Sequence, residues 1–214
     1  SLSPTGAMLP RNQTGGGTAV SEHWIARATG IAMAFLLCGA AALPPQQASR
    51  RSAVGVYEGY SPLLYDGYER KSQYVTVRDG TRLAVDIYRP TRGGHVESAP
   101  LPVVWTFTPY NRATRTPDGR IVPSDAAQLS LLRYGYVIAI ADVRGKGASF
   151  GVRNGPADAN ETNDAYDINE WLARQPFFSG RTGMMGCSYF AATALQTVRA
   201  GAPSLKAAFV GTTM

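Results

Sequence analysis

Polar and apolar residues alternate along Ser72–Arg78 (SQYVTVR) and again along Arg82–Tyr88 (RLAVDIY), with Asp79-Gly80 between the two runs. Alternation with a period of two turns one face of a strand toward a core, and Asp-Gly readily adopts the positive-φ conformation of a tight turn. The pattern therefore predicts a β-hairpin. Beyond Gly93-Gly94 the alternation gives way to LPVVWTF, Leu101–Phe107, a continuous β-branched and aromatic run suited to a strand covered on both faces. A helical segment is predicted from Ser124 to Arg133, with Ser124 or Asp125 as its cap and Gly135 as its stop. YVIAIADV, Tyr136–Val143, is a second buried strand. In NETNDAYDINEWLARQ, Ala165, Ile168 and Leu172 recur at helical spacing with acids near the start, which predicts an amphipathic helix. Thr182–Met185, Tyr189–Ala200 and Leu205–Val210 then read as strand, helix and strand.

Strands and helices that alternate in this way imply an α/β fold: a mostly parallel, doubly wound sheet with right-handed crossovers, preceded by an N-terminal hairpin. The organised region runs from residue 72 to 214. Residues 1–24, rich in Gly and Thr, read as an unstructured leader or upstream extension, 25–48 as a signal-peptide-like segment and 49–71 as an N-terminal extension. The signal reading rests on Ile31–Leu43 (IAMAFLLCGAAAL), with Arg27 before it and small residues at its end. A membrane-spanning helix needs roughly 20 apolar residues, and this run stops at Pro44-Pro45. A secreted or periplasmic location without a stable membrane span is the expectation. Leu37 before Cys38 is too large for the usual lipidation pattern.

The formal charge of the 214 residues is +6, but residues 1–51 hold four Arg against one acid. The rest carries 17 basic and 14 acidic residues, scattered in sign. No basic stripe interleaved with aromatics is visible, which argues against a nucleic-acid partner. Two cysteines, Cys38 and Cys187, are too few for a disulfide framework, and no pattern calls for a metal or cofactor.

The segment GMMGCSYFAA lies between a predicted strand and a predicted helix and contains Gly186-Cys187-Ser188-Tyr189-Phe190-Ala191. This is a nucleophile-elbow pattern with Ala in the last small position. Crowding between strand and helix requires small residues at 186 and at 190 or 191. The tight turn projects the hydroxyl of Ser188 outward and aims the Tyr189 N–H at a developing oxyanion. The same pattern also describes a serine that merely caps a helix after a strand.

Further segments, in order, bear on that choice: YVTVRDGTRLAVDIYRP from Tyr74, TPYNR at 108–112, YGYVIAIADVRGKGASFG at 134–151 and NDAYDINEWLARQPFFSGRTGMMGCSY at 163–189. From about Tyr74 to Val210 the chain resembles the CocE/NonD serine hydrolases, the peptidase S15 group that includes Xaa-Pro dipeptidyl-peptidases, cocaine esterase and α-amino-acid ester hydrolases. The resemblance implies an α/β-hydrolase fold and an acyl-enzyme at Ser188 formed from a small ester or short peptide. It also implies an oxyanion hole made by the Tyr110 hydroxyl and the Tyr189 amide. Tyr110 otherwise reads as an ordinary loop tyrosine. Asp142, Arg144 and Gly145 read as structural, an Arg and an acid holding a loop. Glu161, Asp164 and Asp167 read as dipole-complementing residues or loop anchors, and Cys187 as a small buried filler.

In α/β-hydrolases an acid and then a histidine follow the serine. Residues 189–214 contain no Asp, Glu or His, and the two histidines are His23 and His95. The chain therefore reads as the N-terminal part of a hydrolase, with acid and base beyond Met214 and no turnover of its own. A non-catalytic binding or scaffold protein that keeps the fold is the alternative. An acid and a histidine downstream discriminate the two.

Overall fold

The computed structural model describes residues 52–53, 56–57 and 61–211. The leader and the signal-like segment lie outside the described residues. In the first of two compact units, Ser1–Gly59, β1 (Ser52–Ala53) and β2 (Val56–Tyr57) form a short antiparallel pair.

The second unit, Tyr60–Met214, is built on β3 (Gly67–Thr76), β4 (Arg82–Arg92), β5 (His95–Val96), β6 (Leu101–Thr108), β9 (Val137–Asp142), β10 (Phe178–Gly186) and β11 (Leu205–Val210). Its sheet has the order β11-β10-β6-β9-β4-β3, with β5 paired to β4. The four strands from β9 to β11 are parallel, and the β3–β4 hairpin joins them antiparallel through β4 and β9. A small pair, β7 (Ala113–Arg115) and β8 (Ile121–Pro123), follows β6.

Both faces of the sheet are covered, as the unbroken apolar runs of β6 and β9 require. Val103, Trp105 and Phe107 point to one face, where Ala165, Ile168 and Leu172 of α1 (Ala159–Ala173) and Ala194 of α2 (Tyr189–Arg199) complete the main core. On the other face Tyr88, Ile138 and Ile140 pack against Leu132. Leu132 belongs to Ala126–Tyr134, a 3-10 helix within the segment predicted as helical from Ser124 to Arg133. Neither expected cap residue supplies a side-chain bond there: Asp125 precedes the helix without one. Gly135 does close it, at φ 88°. β3 begins at Gly67, five residues before the alternation becomes visible. Its outer half is an edge with little burial, so nothing in its residue pattern reports the pairing of Gly67 with Thr91.

From β6 the chain moves to one neighbour, β9, and then crosses back over the sheet through α1 to the other neighbour, β10. The crevice outside the carboxyl ends of β6 and β10 is thus a topological switch point, the usual ligand position in open α/β sheets. Among the described residues, no helix is long and apolar enough to cross a membrane.

Candidate active site

β10 delivers the chain to the switch point at Gly186, and α2 starts at Tyr189. Two residues make the turn. Ser188 has φ 57° and ψ −126°, a conformation rare for a residue with a Cβ and costing about 1–3 kcal/mol. Gly186 is fixed by contact: a Cβ there would lie 2.1 Å from the Cβ of Phe190. Ala191 is fully buried, so the small residue demanded on the helix side is at 191, while 190 carries a phenylalanine. The main-chain N–H of Gly211 donates to the carbonyl of Gly186 at 2.8 Å, and the Thr193 hydroxyl donates to the carbonyl of Phe107 at 2.9 Å. These bonds hold the elbow to the ends of β11 and β6.

Cys187 is exposed, contrary to the expectation of a buried filler. Its Sγ lies against Gly211, where an added Cβ would meet it at 2.4 Å.

The loop after β6 brings Tyr110 to the serine. Its hydroxyl lies 3.3 Å from Ser188 Oγ, and its ring sits edge-on to Phe190 with centroids 5.6 Å apart. The loop is held locally. The Tyr110 N–H donates to Thr108 Oγ1 at 2.9 Å, and Asn111 adopts φ 70°. Arg112 donates Nε to Asp86 at 3.0 Å and Nη1 to Asp142 at 2.7 Å, both carboxylates being fully buried. Asp142 also accepts the amides of Arg112 and Ala148. One buried acid therefore holds both the Tyr110 loop and the glycine-rich loop after β9. A Cβ on Gly147 would meet that carboxylate at 2.3 Å.

Ala191 and Ala192 donate their N–H groups to the Ser188 carbonyl, each at 3.1 Å, which leaves the two amides before them, those of Tyr189 and Phe190, without acceptors within α2. Together with the Tyr110 hydroxyl they offer neutral donors beside a serine oxygen, which is the arrangement needed to hold a negative oxygen in acyl transfer. His95, on β5 beyond the N-terminal end of β9, lies at the opposite end of the sheet from Ser188.

A sequence model described as X-Pro dipeptidyl-peptidase (S15 family) matches residues 79–214. The chain belongs to that family. Among curated relatives, cocaine esterase of Rhodococcus sp. is 36% identical over 137 residues, covering 62% of this chain and 21% of its own. A Mycobacterium bovis protein named for serine esterase activity is 34% identical over 136 residues, covering 58% of this chain. The chain spans about a fifth of the length of these curated relatives (21%). A solved CocE/NonD family hydrolase from Staphylococcus aureus superposes with a TM-score of 0.54 at 27% identity, covering 66% of this chain and 27% of its own.

Around the candidate site, three acids spaced by three along α1 each take an arginine from a loop. Glu161 accepts Arg153 Nε at 2.9 Å, Asp164 accepts Arg144 Nη2 at 2.7 Å, and Asp167 accepts Arg78 Nη2 at 2.7 Å. They are loop anchors, and the helix cap is Asp158, whose side chain accepts the Glu161 N–H. Arg144 also reaches Asp79 at 2.7 Å, so it ties the hairpin turn to α1, while Asp142 pairs with Arg112 instead. Hydrogen bonds to Asp164 push Arg144 up. The same pair does not lower Asp164, because burial disfavours its charge more than Arg144 favours it.

Tyr189 contributes its side chain as well as its amide. Its phenol is buried, donates to Glu161 Oε1 at 2.5 Å and accepts from Arg153 Nη2. Burial, and then Glu161, push this phenol up to about 12. The only sequence signal for this contact is the presence of Arg153 and Glu161 eight residues apart.

Proposed function

We propose that this chain carries the nucleophile and oxyanion hole of a serine hydrolase that cleaves small esters or short peptides. The observation that carries the reading is the Ser188 elbow, with φ 57° at a strand–helix junction and the Tyr110 hydroxyl 3.3 Å from Oγ. Ser188 Oγ attacks the substrate carbonyl while its proton passes to a histidine. The tetrahedral oxygen is held by the Tyr110 hydroxyl and the Tyr189 N–H. Collapse expels the alcohol or amine and leaves an acyl-enzyme, which water hydrolyses by the same steps.

We infer that the acid and the base of this scheme lie outside residues 189–214, which hold no Asp, Glu or His. Residues 1–214 alone are then inactive. Within this reading an ester is favoured over a dipeptide, whose α-ammonium group needs a negative partner. The cocaine esterase and serine esterase relatives support the same preference. Export through Ile31–Leu43 belongs to this reading, and N-terminal sequencing of the extracellular or periplasmic protein checks it.

The test uses the full-length protein and p-nitrophenyl esters. Ser188→Ala is expected to lower kcat by at least about 10³-fold with unchanged folding. Turnover that survives this substitution would refute the assignment, and so would a folded full-length protein inert toward esters and peptides alike.

A further inference from the structure

The residue after the nucleophile is held by more than its helix. The Tyr189 phenol donates to Glu161 Oε1, Arg153 Nη2 donates to the phenol, and Arg153 Nε donates to Glu161 Oε2 at 2.9 Å, closing a ring of three hydrogen bonds. The ring joins three separate elements: the loop after β9, the first turn of α1 and the first turn of α2. Gln196 Nε2, about two turns further along the same face of α2, also reaches Glu161 Oε1 at 3.3 Å. Glu161 is 1% exposed and Tyr189 4%.

Resting on the serine-hydrolase reading, we infer that Glu161 is a positioning residue that acts through the Tyr189 hydroxyl to fix the Tyr189 amide in the oxyanion hole. Stability alone is a poor reason for this construction. A buried ion pair is generally worth no more than apolar packing of the same volume, whereas its directional bonds fix one geometry. That geometry is needed here. The backbone of Ser188 is held in a rare conformation, which persists only when both flanks are fixed. β10, with the Gly211–Gly186 bond, fixes one flank, and the phenol clamp fixes the other. Burial and Glu161 keep the phenol protonated far above neutral pH, so it remains a donor to Glu161 throughout the working range.

The test is a double-substitution cycle in the full-length protein with Tyr189→Phe and Glu161→Leu, the latter removing the acceptor of the phenol. Active sites are counted with a fluorophosphonate, and kcat and KM are measured per counted site on a p-nitrophenyl ester. Each single substitution is expected to lower kcat per site on the order of 10- to 100-fold, with KM changed less than about threefold. The double variant is expected to be no slower than the slower single, because both remove the same link. Affinity for a boronate that forms a tetrahedral adduct should fall in step with kcat. A drop only in the number of countable sites, with kcat per site intact, would assign the clamp to folding and overturn the inference. Strictly additive losses would also overturn it. If the parent protein is not labelled at Ser188, the hydrolase reading fails first and this inference with it; a labelled parent with unaffected variants removes the inference alone.

Discussion

At the scale of single residues, the elbow makes sharp demands. A Cβ at position 186 would occupy the space of Phe190, and overpacking of this kind costs about 1–3 kcal/mol or more. Gly186→Ala is therefore expected to lower the melting temperature of the full-length protein and abolish labelling of Ser188. A stable, labelled Gly186→Ala protein would mean that the turn is looser than it stands here. Tyr110→Phe removes one donor 3.3 Å from Oγ and leaves the ring contacts with Phe190 in place. Its expected effect is a fall in kcat of about 10²–10³ with little change in stability, measured by steady-state kinetics alongside thermal melting. At this scale the sequence was informative where small size or positive φ is obligatory, as at Gly186 and Gly135. It misled at Cys187. Residue type favours burial for cysteine, but among the described residues this one is exposed, with Sγ beside Gly211. The phenol of Tyr189 was not legible either, since its partners come from loop and helix residues 28 and more positions away.

At the scale of elements, the β-branched runs and the helical spacing of Ala165, Ile168 and Leu172 mark β6, β9 and α1, because each buries a continuous face. The 3-10 form of Ala126–Tyr134 and the first half of β3 carry no such mark: one is short and half buried, the other an exposed edge. The sequence marks Glu161, Asp164 and Asp167 as candidate loop anchors and Asp142 with Arg144 as holding a loop, but not which arginine pairs with which acid; Arg112, whose bonds to Asp86 and Asp142 set the position of Tyr110, carries no such mark. Arg112→Ala would leave Asp142 buried with no guanidinium beside it. Removing one partner of such a pair costs about 3–5 kcal/mol, which urea unfolding would detect, and the freed loop should reduce kcat as well. A loss below about 1 kcal/mol would contradict the anchoring role. The Arg144 hydrogen bond holds Asp79 well below the usual carboxylate range. A depressed pKa stabilises the fold fully above the unfolded value near 4 and progressively less as pH falls below it. Melting temperatures of the parent protein and Asp79→Asn should accordingly differ at pH 6–7 and converge as pH drops from about 4 toward 2. A gap that widens in acid would reverse the sign of this argument.

At the scale of the whole molecule, family membership covers residues 79–214 and the likeness to cocaine esterase covers 21% of that relative's length. β11 stands at one end of the sheet order, and its Phe209 is 70% exposed. Exposed apolar edge strands promote self-association. Residues 1–214 expressed alone are expected to aggregate through this edge without ester turnover. Phe209→Lys should raise the monomer fraction in gel filtration, and an active, monomeric 1–214 would contradict the division of the catalytic groups proposed above. That division, with nucleophile and oxyanion hole in this chain and acid and base beyond it, is tested most directly by covalent chemistry on the serine. The full-length protein is treated with a fluorophosphonate, digested and mapped by mass spectrometry. One adduct on Ser188, absent from a folded Ser188→Ala protein and from residues 1–214, is the predicted result. An adduct on any other residue, or a folded full-length protein left unlabelled, would contradict the account.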